Sequence, residues 1–139
     1  MADFYEKPES YVEDQIFRYV FADDLTRLKR MDKKFLNPEY DVTTNGWSYL
    51  TIAAANGCNE VIPYLIEEWG FAPEGNGKSA NTPLEWAVER KHYKTAGYLF
   101  KQWGCAAPRD PALLESFRNN ALKTRLLMLY VKYKLPIFN

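Results

Sequence analysis

The sequence predicts an all-α fold, a single domain built as a stack of about three to four helix pairs whose terminal pairs are degenerate. Three observations carry this expectation. Residues 48–70 lie over 82–104 without gaps, pairing Leu50 with Leu84, Ala53 with Ala87, Tyr64 with Tyr98, Leu65 with Leu99, Trp69 with Trp103 and Gly70 with Gly104, a period of 34. The same step back from Leu50, Ala54, Ile62, Leu65 and Trp69 lands on Ile16, Val20, Leu28, Met31 and Phe35, all apolar. Each period also contains helix start and stop signals around two short apolar stretches, too little for one pair to bury its face alone.

The elements follow in chain order. Ser10 to Glu13 reads as a capping box, in which the serine takes a backbone N–H and the glutamate reaches back, so a helix is expected over roughly 11–22. In the clearest copies the first helix is short, because Asn56-Gly57-Cys58-Asn59 breaks the pattern, and Asn59 is placed to cap the next helix. Val61, Ile62, Leu65 and Ile66 then recur at three-to-four spacing and make one apolar face, ended by Trp69-Gly70 with glycine available for a left-handed terminus. In the following copy Thr82 is the N-cap, Pro83 fits the first helical position and Glu85 completes a capping box. Ala53, Ala54 and Ala87 are small enough for neighbouring helices to approach closely. Asp110-Pro111 starts a helix near 111–120, and Leu122, Leu126, Leu129, Tyr130 and Tyr133 form a stripe over 121–135 that suits an end cap.

Composition excludes several function classes. At 139 residues one domain can bury roughly 68–70% of its unfolded surface and needs no covalent staples. Cys58 and Cys105 stand far apart, with no paired spacing and no histidine cluster, so neither a disulfide framework nor a zinc site is expected, and a reducing, intracellular compartment follows, the cytoplasm by default with an organelle left open. Residues 1–10 carry Asp3, Glu6 and Glu9 without a basic and apolar run, so no secretory leader is expected, and no apolar stretch has the length of a membrane span. Basic and acidic residues balance at 18 each, which gives no reason to expect nucleic acid as a partner. Charge is nevertheless polarised: residues 1–15 hold five acids and one lysine, and after Glu115 only Arg118, Lys123, Arg125, Lys132 and Lys134 are charged. That basic end leaves open an alternative function as a polyanion binder, for nucleic acid or an anionic membrane.

Catalytic chemistry has little to start from. His92, the only histidine, occupies the period position of Cys58 at the turn between paired helices, where a packing or hydrogen-bonding role is expected, and a serine triad or histidine metal site has no second member. Glu74-Gly75-Asn76-Gly77-Lys78-Ser79 ends like a phosphate loop but lacks the first glycine and a preceding strand, so a turn is the better reading. No cofactor, metal or catalytic residue is expected. Aromatic residues reach 16%, much of it tyrosine and tryptophan. Trp69, Trp86 and Trp103 are expected to pack in the core, whereas Trp47, ahead of a helix, suits core or interface equally.

Gly46-Trp47-Ser48-Tyr49-Leu50-Thr51-Ile52-Ala53-Ala54-Ala55-Asn56-Gly57, followed one period on by Thr82-Pro83-Leu84-Glu85-Trp86-Ala87-Val88, resembles ankyrin repeats. Those carry a glycine turn, then Thr-Pro-Leu, a polar residue, an apolar residue, Ala-Ala, and a glycine before the second helix. Departures are Ser48-Tyr49 for Thr-Pro, Thr51 and Glu85 for the usual histidine, and Lys91 for the turn glycine. Residues 44–104 carry the specific resemblance. It implies a domain partition into an N-terminal capping repeat (1–43), repeats at 44–77 and 78–106, and C-terminal capping helices (107–139). It also implies a concave, protein-binding face without catalysis, which on this chain selects Thr44, Asn45 and Trp47 on one tip with Asn56 on its helix. The next copy supplies Lys78, Ser79 and Asn81 on the tip with Glu89 and Arg90 on the helix, and Phe21 lies one period before Ala55. The expected function is a scaffold, adaptor or accessory subunit of a larger protein assembly, the last suggested by the aromatic, apolar ends such as Leu135-Pro136-Ile137-Phe138.

Overall fold

Seven helical stretches and no strand occur among the residues described by a computed structural model of the chain, 15–31 and 46–121. They are α1 (15–21), α2 (Leu25–Leu28), α3 (Tyr49–Ala55), α4 (Val61–Glu67), α5 (Pro83–Glu89), α6 (Tyr93–Trp103) and α7 (111–121). The Ser10–Glu13 box, Thr44, Asn45, the apolar stripe of 122–135 and the basic run from Lys123 to Lys134 lie outside the described residues.

The stack follows from the period. Helix α3 packs on α4 and α5 on α6, while α3 also lies against α5 and α2 against α4, so first helices adjoin first helices and second helices adjoin second. Equivalent positions form continuous buried rows: Ile16, Leu50 and Leu84 are fully buried, as are Leu28, Ile62 and Ala96. Val20, Ala54 and Val88 make a third row. The alanines of α3 are themselves inaccessible, which is how helices of seven residues approach closely enough to share one core.

Turns obey the same period. Asp23, Gly57 and Lys91, each one step of 34 from the next, adopt φ of 56°, 69° and 66°. The glycine pays no steric penalty there, whereas Lys91 holds a left-handed backbone despite its Cβ. Second helices end alike: Gly104 is left-handed at the C-cap of α6, and the amides of Phe71 and Cys105 reach back to the carbonyls of Leu65 and Leu99 at 3.1 and 3.2 Å.

Helix starts mostly match expectation. Ser48 accepts from the Thr51 amide, Thr82 and Glu85 form the reciprocal capping box with Pro83 in the first turn, and Asp110 accepts from the Leu113 amide at 3.1 Å. The start of α4 corrects the reading of Asn59. Its N-cap residue, Glu60, has helical backbone and no side-chain cap, and the cap comes from the preceding pair, where the Asp23 carboxylate accepts from the Glu60 and Val61 amides at 3.1 and 3.0 Å. Asn59 is otherwise engaged, its Oδ1 accepting from Thr95 Oγ1 at 2.6 Å. Both bonds run between successive pairs, so a helix cap here doubles as a stacking contact.

A candidate protein-binding face

The first helices and the loops ahead of them present one face. Trp86 on α5 and Arg90 at the C-cap of that helix are four residues apart and both reach the Trp47 ring. The Trp47 ring, contributed by the segment leading into α3, lies 4.5 Å from the Trp86 ring between centroids and tilts by 55°. The Arg90 guanidinium sits over Trp47, 5.3 Å from its centroid, within cation–π range. Trp86 Nε1 donates to Ser79 Oγ at 3.0 Å, which ties the tip loop to the helix. Trp47 and Trp86 are half-buried, and Lys78, Glu89 and Arg90 are exposed.

The tip is held by close backbone approach and by charge. A Cβ at Gly46, which has φ of 78°, would come within 2.8 Å of the Lys78 carbonyl oxygen, so only glycine lets the two loops meet. Behind the tip, Glu85 is buried, its side chain 3% exposed, and its carboxylate collects four donors: the Thr82 amide at 2.9 Å, the Arg109 amide at 2.8 Å, and Arg109 Nη2 and Nε at 2.8 and 3.2 Å. Arg109 Nη2 also donates to the Ala80 carbonyl at 2.9 Å. Burial opposes ionisation of Glu85, but these bonds outweigh it and hold the carboxyl down at about 2. Glu74 adds a bond from the Ala106 amide at 3.1 Å. The tip of one pair is thus clamped to the entry of the next.

Of the residues mapped onto the concave face, the structure brings Trp47, Lys78, Ser79 and Arg90 together, with Glu89 beside Arg90. Asn81 lines a small cleft of about 110 Å³ together with Thr51, Ser79 and Arg109. Asn56 turns its Nδ2 to the Ile52 carbonyl of its own helix at 2.8 Å. Phe21 is 54% exposed and stacks on Phe17 with centroids 5.8 Å apart, separate from the tryptophan pair. Trp86 corrects the expectation of a core ring, since it is half-buried on this face and joined to Trp47. Its period mates are Arg18, exposed, and Ile52, buried, so the row has no constant environment and only the mixture of residue types hinted at it. Trp69 is buried as expected, with its Nε1 lacking a partner, and Trp103 is half-buried against the core and edge-on to Tyr98 at 5.1 Å.

Elsewhere the surface has a groove of about 530 Å³ between α6 and α7, lined by Tyr93, Gly97, Tyr98 and Phe117 and reaching Ala121, the last described residue. The thiols are not activated. Cys58 donates to the Phe21 carbonyl and Cys105 to the Pro73 carbonyl, each at 3.5 Å, and both are pushed up to about 11 by burial, with Asp23 adding to the first and Glu74 to the second. His92 N-caps α6 without a side-chain cap bond and packs against Gly57, where a Cβ would come within 2.6 Å of its Nδ1. Among the described residues no group of three or more His, Cys, Asp or Glu could hold a metal, and no helix is long and apolar enough to cross a membrane.

Stacked helix pairs with buried rows and left-handed turns recurring every 34 residues define a helical-repeat protein. A family model of ankyrin repeats, three copies, matches residues 23–109, more than half of the chain, and the chain belongs to the ankyrin-repeat family. No curated protein and no solved structure matches it. Ankyrin repeats are in general protein–protein interaction modules and typically non-catalytic.

Proposed function

We propose that this chain is a non-catalytic protein-binding module, a scaffold, adaptor or accessory subunit of a larger assembly, acting in a reducing intracellular compartment. The observation that carries the reading is the Trp47–Trp86 pair with Arg90 over it. Two large half-buried rings and an arginine, set on rigid helices and a clamped tip, are the residue types that dominate binding energy at protein interfaces. Glu89, Lys78, Ser79, Asn81 and Asn56 extend the face, with Phe21 as a second aromatic anchor one repeat earlier; Thr44 and Asn45, which the family resemblance adds to this face, lie outside the described residues. Two free, buried, unactivated thiols support a reducing environment and a non-catalytic role.

The test is quantitative affinity purification from the native source with the wild-type chain, Trp47→Ala, Trp86→Ala and Phe21→Ala, and with Tyr98→Ala, exposed on α6, as control. Circular dichroism confirms that each variant is folded. Loss of one buried anchor at an interface costs about 2 kcal/mol or more, so partner recovery should fall at least about tenfold with the tryptophan variants and stay unchanged with Tyr98→Ala. The reverse pattern rejects the face.

A further inference from the structure

Resting on that reading of the face, we propose that its partner presents an extended segment with one carboxylate, from Asp or Glu, next to an aromatic or aliphatic side chain. The carboxylate pairs with Arg90 and the apolar neighbour packs at the Trp47–Trp86 rings. The argument starts from what Arg90 does and does not contact. Its guanidinium is held over Trp47 at 5.3 Å, and among the described residues no hydrogen bond or ion pair engages its N–H groups. Two other surface arginines are committed: Arg27 to Asp24 at 3.1 Å and Arg109 to Glu85 at 2.8 Å. A guanidinium over a ring is shielded from water on that side by the ring, while Arg90 as a whole is exposed and its donors are open to an incoming acceptor. The guanidinium is a planar fork of donors that matches a carboxylate in two parallel bonds.

Charges around it narrow the ligand further. Lys91, exposed at the next position, adds a second positive charge beside Arg90, which favours an anionic partner group. Glu89, exposed at the end of the same helix, disfavours a second negative charge close by. A single acid flanked by an apolar side chain therefore fits better than a polyacidic run, and the half-buried tryptophan pair supplies the surface for that flank.

The test uses a random linear peptide library displayed on phage, selected on the full chain and on Arg90→Glu, with Trp47→Ala as a cross-check and circular dichroism on all three proteins. Expected are wild-type binders enriched several-fold for Asp or Glu beside an aromatic or aliphatic residue. Synthetic peptides from the winners should bind Arg90→Ala about tenfold more weakly, with Arg90→Lys only partly restoring affinity. Selection on Arg90→Glu should replace the acid with Lys or Arg. Binders that are lost with Trp47→Ala but show no acidic preference overturn this inference and leave the face intact. Binders indifferent to both Trp47 and Arg90 overturn the face as well. A library that yields no binder also counts against the proposal, because a linear segment is the class it names.

Discussion

Replacing Glu85 by Gln should expose how much of the stack depends on one buried carboxylate. In the folded chain this carboxyl is held at about 2 against an ordinary 4.5, which corresponds to about 3 kcal/mol of preferential stabilisation of the ionised, folded form. Arg109 is largely solvent-exposed, its side chain 69% accessible, so screening trims the figure and a loss of about 2 kcal/mol is expected for Glu85→Gln at neutral pH. The amide keeps one acceptor oxygen for the capping box or for Arg109, but turns an N–H₂ toward the donors that remain. The pH dependence has a definite sign. A carboxyl whose pKa is depressed by folding contributes fully above its unfolded value, and the contribution fades as pH falls from about 4.5 toward about 2. Urea unfolding followed by far-ultraviolet circular dichroism, run on both proteins from neutral pH down to about pH 2.5, isolates the effect, because the other carboxylates titrate in both chains. The wild-type advantage should be constant above about pH 5 and shrink steadily below it. A difference under about 0.5 kcal/mol at neutral pH, or one that does not change with acid, would show that the Glu85–Arg109 clamp does not hold the tip as described.

Three further outcomes follow from the turns and the thiols. Lys91→Gly removes a Cβ from a left-handed residue and should raise stability by about 1 kcal/mol in urea; an unchanged or lower midpoint argues that the turn carries no strain. Asp23→Ala deletes the cap shared by Glu60 and Val61, with an expected cost of about 1–2 kcal/mol and faster hydrogen exchange at those two amides, and unaltered exchange there would show that Asp23 does not cap α4. Cys58 and Cys105, buried and held at about 11, should react with iodoacetamide at neutral pH at least about 100-fold more slowly in the native chain than in urea, as read by mass spectrometry; rapid modification of either means that its burial is wrong.

The parts of the fold that could be read from the residues are those that repeat. Ile16, Leu50 and Leu84 announce a buried row because one step of 34 links three apolar side chains, and Gly57 announces a left-handed turn because glycine adopts it without cost. Asp23 and Lys91 share that turn conformation, but nothing in their types reveals it until the period aligns them with Gly57. The cap of α4 was hidden for a different reason. Asn59 is adjacent and chemically competent, while Asp23 is distant in the chain and becomes a neighbour only once the pairs are stacked. Arg109 is likewise invisible as the partner of Glu85, 24 residues away. At the candidate site, resemblance placed Trp47, Ser79 and Arg90 on one face, but side-chain direction decided which of them meet. Trp86 reads as a core residue from its type because large apolar residues usually belong there, whereas its half-burial goes with the ring of Trp47 lying beside it.

Site-specific photo-crosslinking in living cells of the source bears most directly on the claim that this ankyrin-repeat chain binds a protein through its first-helix face. A benzophenone amino acid is placed at Glu89, exposed beside Arg90, and separately at Tyr98, exposed on α6 at 42%. Adducts of defined mass from Glu89, suppressed by an additional Trp47→Ala change and missing from Tyr98, are the expected result. Adducts from Tyr98 alone, or adducts at Glu89 that persist without the Trp47 ring, would contradict it.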